Sequence, residues 1–230
     1  HMATIIEKRA ATLLINKPSG IPVFPKTDTE EDSVLIRLFA MEPHRAHMEW
    51  PEGFAGGIVH RLDTPTSGGL LVAEHPEEVL NIRERFSNKV LEKRYLFLSR
   101  KEPRWESHYC DVPLAHDKKK RGNMIPKRGN NTPHRGKWYN AKTTFRHLGR
   151  REGVSLWEAV MFSGVMHQIR VHAAFLGIAL LGDRRYGGGK TPEYFPSSFA
   201  LHHHQISDWP KILPPDWWPS WAHQKLEHER

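Results

Sequence analysis

Short apolar runs, cut by glycine and proline and mixed irregularly with helical patterns, set the tightest limit on this fold. Residues 11–16 (ATLLIN) read as a buried strand, closed by the turn Lys17-Pro18-Ser19-Gly20. Residues 94–98 (RYLFL), 142–148 and 154–162 read as further strands, and 58–60 and 69–73 as short apolar runs around a polar turn. Helical spacing is predicted over 32–41 and 166–176, the second ended by Gly177. Pro76 suits a first helical position, with Val79, Ile82 and Phe86 on one face behind it. Strands and helices do not alternate regularly. The pattern points to an α+β architecture with a mixed or antiparallel central sheet flanked by helices and loops.

A chain of 230 residues, 38% hydrophobic, is long enough for one core or two closely joined ones. No run of about 18 apolar residues occurs, so no membrane-spanning helix is expected. The start, His1-Met2-Ala3, reads as a cleavage remnant and not as a signal peptide. The single cysteine, Cys110, excludes an internal disulfide framework and a cysteine-based zinc site. A reducing, cytoplasmic setting is expected. Trp209, Trp217, Trp218 and Trp221 crowd among four prolines at the C-terminal end, where a tail is expected to drape its indoles over apolar surface.

The net charge is +8, and it is unevenly distributed. Twelve of the 34 basic residues lie within 117–151, where Asp117 is the only acid; the remainder holds 22 basic and 25 acidic residues. Such a single-sign field suggests a polyanionic partner, with nucleic acid the commonest. A solvated, self-repelling loop is the plainer reading. Glycine, proline and asparagine within 118–137 predict a long loop with little internal structure.

Two tempting motifs fail. Residues 186–191 (YGGGKT) end like a phosphate-binding loop, but Arg184 stands where the pattern needs glycine. The sixteen histidines do not make a metal site: His202, His203 and His204 are consecutive, and His167 and His172 are five apart, the wrong spacing for one helical face. No metal is expected.

Two clusters are more specific. One is residues 60–73 (HRLDTPTSGGLLVA), where Asp63 follows a cation in a turn rich in Thr, Ser and Gly. Alone, Asp63 fits either a carboxylate poised for chemistry or a plain turn aspartate. The other is residues 167–172 (HQIRVH), continuing to 182–187 (GDRRYG).

The first cluster resembles the catalytic signature of the RluA-type pseudouridine synthases, H-R-L-D-x-x-T-S-G-L-L-L-x-A, with Gly69 in place of a usual leucine. The second resembles the same family's late motif. Lys93-Arg94-Tyr95 is similar to its K-x-Y strand, and Asn16-Lys17-Pro18-Ser19-Gly20 to its opening N-K-P-x-G. The four motifs keep the family's order across residues 11–187. Ser163-Gly164-Val165-Met166 departs from a usual T-G-R, and Phe199-Ala200-Leu201-His202-His203 only partly matches the late R-x-A-L-H-A strand.

The resemblance implies a pseudouridine synthase fold, with a single catalytic domain expected over 11–208; a Trp- and Pro-rich tail is expected over 209–230, and no separate S4-like domain, since only about ten residues precede Ala11. It implies isomerisation of uridine within structured RNA, ribosomal or transfer, with no cofactor and no nucleotide. Asp63 becomes the essential carboxylate, acting as a nucleophile toward the sugar or as a base at the ribose. Arg170 becomes its cationic partner, and Tyr95 the aromatic beside the target base. Taken singly, Tyr95 more commonly fits a core strand aromatic, Ile169 equally the base pocket or the core, and Lys93 pocket support, a backbone contact or a plain surface lysine. Arg61 suits filling the space left by an extruded uridine or binding phosphate. His60 joins the RNA-facing set, as do Lys118, Lys119, Lys120 and Arg121 as an electrostatic clamp. A monomer is expected. The competing reading is a catalytically inactive RNA-binding relative, which the combination of Asp63, Tyr95 and Arg170 argues against. A glycosidase would want a second carboxylate near Asp63, and the next acid is Glu74.

Overall fold

Alternation along the apolar runs sends neighbouring side chains to opposite faces of one large sheet. The computed structural model describes residues 3–26, 32–193, 195–196 and 198–229. In chain order the strands are β1 (Thr4–Arg9), β2 (Thr12–Lys17), β3 (Ser67–Ala73), β4 (Lys93–Ser99), β5 (Ser107–Cys110), β6 (Leu114–His116), β7 (Met124–Pro126), β8 (Arg135–Tyr139), β9 (Thr143–Arg151), β10 (Val154–Met161) and β11 (Leu201–Ile206). The helices are α1 (Val34–Met41), α2 (Pro76–Ser87), α3 (Gln168–Phe175) and α4 (Ser220–His228). Eight strands form one sheet in the order β1-β2-β3-β11-β4-β10-β9-β5, and β7-β6-β8 form a second. Among the described strand pairs, β11 with β3 is parallel and the others are antiparallel, so the large sheet is mixed.

One face of the large sheet carries Leu13, Ile15, Leu70, Val72, Tyr95, Phe97, Trp157 and Ala159, covered by Val34 and Leu38 of α1 and Ile169 and Ala173 of α3. The other face is covered in two parts. Leu14 and Leu71 meet Val79 and Ile82 of α2 together with Trp209. Leu96, Leu98 and Leu156 meet Trp218 and, from α4, Ala222 and Leu226. The tail's indoles thus seal apolar surface, as the sequence suggests. Each buried tryptophan contributes on the order of a few kcal/mol.

The structure departs from the sequence reading in four places. The basic stretch over 118–137 is not structureless: β7 and β8 lie within or across it and pair with β6. Its glycines and charges mask strands too short to show periodicity. Helix α3 starts at Gln168, not at 166, because His167 takes a left-handed backbone (φ 58°). Helix α1 starts at Val34, where the Ser33 side chain accepts from Ile36 N–H as an N-cap. The run 58–60 gives only an isolated bridge, Ile58 to Val72.

Histidines 202–204 are buried on β11. His202 Nε2 donates to the Ile212 carbonyl (2.6 Å), so its Nδ1 accepts from Ser67 Oγ (2.8 Å). Burial pushes His202 down to about 3 and His203 down to about 4. Below pH about 6.5 the unfolded chain takes up protons that these two rings refuse in the fold, so native stability falls as pH drops. At pH 5, about 1.5 pH units below the free imidazole value, the loss is about 2 kcal/mol per ring. The urea midpoint at pH 5 should therefore lie well below that at pH 7; equal midpoints would contradict this assignment.

Candidate active site

Asp63 lies on the turn that feeds β3, and the turn after β2 clamps it. Gly20 N–H donates to the Thr64 carbonyl (2.8 Å), and Ser19 Oγ to the Pro65 carbonyl (2.7 Å). Thr66 N–H closes the turn on the Asp63 carbonyl (2.9 Å). Lys17 is buried beneath, its ammonium donating to the carbonyls of Pro18 (2.8 Å), Ile21 (2.6 Å) and Thr64 (2.9 Å). Burial pushes Lys17 down to about 7, against the opposing pull of the Asp63 charge. One buried cation thus ties the two turns together. The sequence reading quotes Lys17 within its motif but gives it no role.

Arg170 projects from α3 toward the same turn. Its Nη1 lies 3.4 Å from Asp63 Oδ2, so the expected pair forms. Its short bonds go elsewhere. Nε reaches Asp183 Oδ2 at 2.8 Å and Nη2 reaches Asp183 Oδ1 at 2.9 Å, a two-pronged grip by a carboxylate that is 1% exposed. The guanidinium also lies against the rings of Phe199 (4.3 Å) and Tyr186 (5.0 Å). Asp183 therefore fixes Arg170, and Arg170 offers its remaining edge to Asp63. Sequence reasoning missed this residue, although it stands within the 182–187 motif. Gly182 beside it has φ 87°, and a Cβ there would lie 2.0 Å from the Ser198 carbonyl oxygen.

Asp63 itself keeps 42% of its side chain exposed, open to a substrate. Tyr95 on β4 is 6% exposed and stacks on His203, with ring centroids 4.5 Å apart. Burial, with the Asp63 charge added, pushes its phenol upward, so the hydroxyl is neutral at pH 7. Ile169 is buried in the core and also lines the cleft, so both of its readings hold. His60 lines the cleft too, but its Nε2 accepts from Leu71 N–H (2.8 Å), which leaves the ring little freedom to bind RNA. Arg61 is exposed at the rim, over the Phe24 ring at 5.4 Å. His167 Nδ1 lies 2.6 Å from the Tyr186 hydroxyl. That hydroxyl accepts from Met124 N–H (2.9 Å), so it donates to His167 and joins the small sheet to the site.

These groups open on a cleft of about 1730 Å³. Lys26, Arg61, Arg83, Lys89, Lys93, Arg170, Arg184 and Arg185 line it against two acids, Asp63 and Asp183. None of these cations belongs to the basic segment 117–151, which gives the lining only Met124, Tyr139 and Asn140. Lys118, Lys119, Lys120 and Arg121 are exposed between β6 and β7, outside the lining. The sequence reading places the polyanion-binding charge in the segment; around Asp63 the structure supplies it from the body of the chain. Among the described residues no group of three or more His, Cys, Asp or Glu could hold a metal ion, and no helix is long and apolar enough to cross a membrane.

Three comparisons bear on this arrangement. The family model described as RNA pseudouridylate synthase matches residues 11–175. The uncharacterized RNA pseudouridine synthase YlyB of Bacillus subtilis (strain 168) is 32% identical over 83% of this chain and 59% of its own length. Ribosomal large subunit pseudouridine synthase D of Zymomonas mobilis is 33% identical over 79% of this chain and 55% of its own length. The chain thus spans a little over half the length of these two relatives. Among solved structures, human RNA pseudouridylate synthase domain containing 1 superposes with a TM-score of 0.70 at 22% identity, covering 93% of this chain and 83% of that one.

Proposed function

Since this chain belongs to the RNA pseudouridylate synthase family, of the RluA type, we propose that it isomerises uridine to pseudouridine in structured RNA at Asp63. The observation that carries this reading is the half-exposed Asp63 carboxylate, held beside Arg170 and Tyr95 at the floor of a cationic cleft. The glycosidic bond from N1 breaks, the uracil turns, and its C5 bonds to the ribose C1′. The proton leaves C5 and one is gained at N1, so atoms and charge balance without redox change.

Asp63 supplies the negative charge that the sugar needs as the bond breaks, whether by attack on the sugar or by proton abstraction from the ribose. Arg170 keeps that carboxylate oriented, and the Asp183 grip keeps Arg170 from collapsing onto it. Tyr95 packs beside the base with a neutral hydroxyl. With its hydroxyl neutral at rest, it would take a proton from C5 only while passing its own onward. Ile169 borders the base, and Arg61 at the rim suits the gap left by an extruded nucleotide. No cofactor is required.

Ribosomal RNA is the favoured substrate, because a relative of similar sequence is named as a pseudouridine synthase of the ribosomal large subunit. Residues 11–208 would act as the catalytic unit and 209–230 as its tail, in a monomer working in the cytoplasm. Lys118 to Arg121, being exposed and outside the cleft lining, would hold RNA remote from the target base. Neutralising these four should weaken binding and flatten its salt dependence by up to about 0.9 per phosphate released. An unchanged slope would remove them from the interface. The reading as a whole is tested by incubating the protein with RNA isolated from cells that lack it and measuring pseudouridine in the digested nucleosides. A time-dependent rise supports it; no rise with any RNA fraction favours the binding-only relative.

A further inference from the structure

Among the described residues, the buried cations have partners, with one exception. Lys17 has three carbonyls, Arg170 has two carboxylates, and Arg45 has Glu42 together with the carbonyls of Gly56 and Ala73. Arg94, the chain neighbour of Lys93, has Glu92 (2.7 Å) and Glu158 (2.8 Å). Lys93 is 7% exposed, and among the described residues its ammonium has no hydrogen bond or ion pair; its contact is the Phe86 ring, 5.6 Å away. An ammonium on a largely buried side chain with no acceptor from the protein must be served by water or by an anion from the cleft.

The ammonium faces the cleft. Arg83, whose charge lies near the ammonium, and Lys89 also line the cleft, and the two acids of the lining belong to the Arg170 cluster. The Arg83 guanidinium is anchored by the Val59 carbonyl (3.0 Å) and lies over Phe54 and Phe86, so the wall is rigid as well as positive. Gly164 stands directly against the ammonium: a Cβ there would lie 3.1 Å from Lys93 Nζ. Beside Gly164, Phe162 and Met166 also line the cleft and expose 41% and 45% of their surfaces. The ammonium, with its open acceptor position, thus adjoins an apolar lip on which an unstacked base can rest.

Building on the reading of the site as an RNA isomerase, we propose that Lys93, flanked by Arg83 and Lys89, seats a backbone phosphodiester adjacent to the target uridine. The phosphate supplies the acceptor that the fold withholds from Lys93, and the lip takes a neighbouring base. Burial and the nearby Arg83 charge push the Lys93 ammonium down to about 8, so it is mostly charged at pH 7 and an incoming anion favours it further.

The test reads binding alone, so its failure is separable from a failure to form pseudouridine. The probe is a uridine-containing stem-loop RNA, titrated at several salt concentrations. Lys93→Met should weaken binding about ten-fold at moderate salt and reduce the salt slope by about 0.7–0.9. Lys93→Arg should restore the slope. A scan placing neutral methylphosphonates along the same RNA should find one linkage whose substitution weakens wild-type binding and leaves Lys93→Met unaffected; this arm needs no variant to detect the sensitive linkage. An unchanged slope in folded Lys93→Met, or a scan with no linkage that depends on Lys93, would overturn the proposal.

Discussion

Replacing Asp63 by asparagine should abolish pseudouridine formation, by at least about 10³-fold, with little change in stability or RNA affinity. The size of the effect follows from the chemistry: removing a group that acts directly on the reacting bond costs many orders of magnitude in enzymes that depend on it. The separation from folding follows from geometry. Asp63 is half exposed, and its ion pair with Arg170 is the long one at 3.4 Å. An ion pair of that kind contributes about 0–1 kcal/mol. Arg170 keeps both bonds to Asp183 when the Asp63 charge is removed. The asparagine variant should therefore melt near the wild-type temperature and bind RNA within a few-fold. Single-turnover conversion, thermal melting and a binding titration check the three parts. Residual turnover near wild type would show that another group carries the chemistry.

The second large effect belongs to a residue that acts through Arg170. Asp183→Asn should destabilise the fold by about 3 kcal/mol or more, because it leaves the buried Arg170 guanidinium facing an amide donor. In a domain of this size that corresponds to a fall in Tm of about 6–12 °C. Activity should drop with it even well below the melting temperature. Freed from Asp183, the guanidinium can close on Asp63 and cover the oxygen that must stay open. Kinetics at low temperature separate the two consequences. A stable variant with normal kcat would show that the Phe199 and Tyr186 rings, at 4.3 and 5.0 Å, are enough to place Arg170.

The contrast between these two aspartates shows what the sequence discloses. Asp63 was legible because an acid in a turn of Thr, Ser and Gly stands in a motif whose order repeats a family's. Asp183 stood in an equally visible motif, yet its partner lies thirteen positions back, on another element, and no local pattern announces a pairing across a fold. Lys17 shows the same limit: a lysine ending an apolar strand gives no sign that its ammonium will turn inward onto three carbonyls. The central strands were legible because they are buried on both faces and therefore continuously apolar, as in β3, where every residue is buried. Strand β1 was not, since its burial is partial and Ile5 and Ile6 remain exposed. Helix α4 was hidden within a tail dominated by tryptophan and proline. The charge distribution misled in a particular way. Counting along the chain finds the dense segment 117–151, whereas the field around Asp63 comes from cations scattered between Lys26 and Arg185 that converge only in the fold.

The central claim is that this site turns uridine into pseudouridine through the Asp63 carboxylate. It is tested most directly by mapping pseudouridine, nucleotide by nucleotide, in RNA from cells lacking the protein and supplied with either the wild-type or the Asp63→Asn chain at equal level. The account predicts one or a few uridines modified with the wild type and unmodified with the variant. Identical maps for the two chains would contradict it.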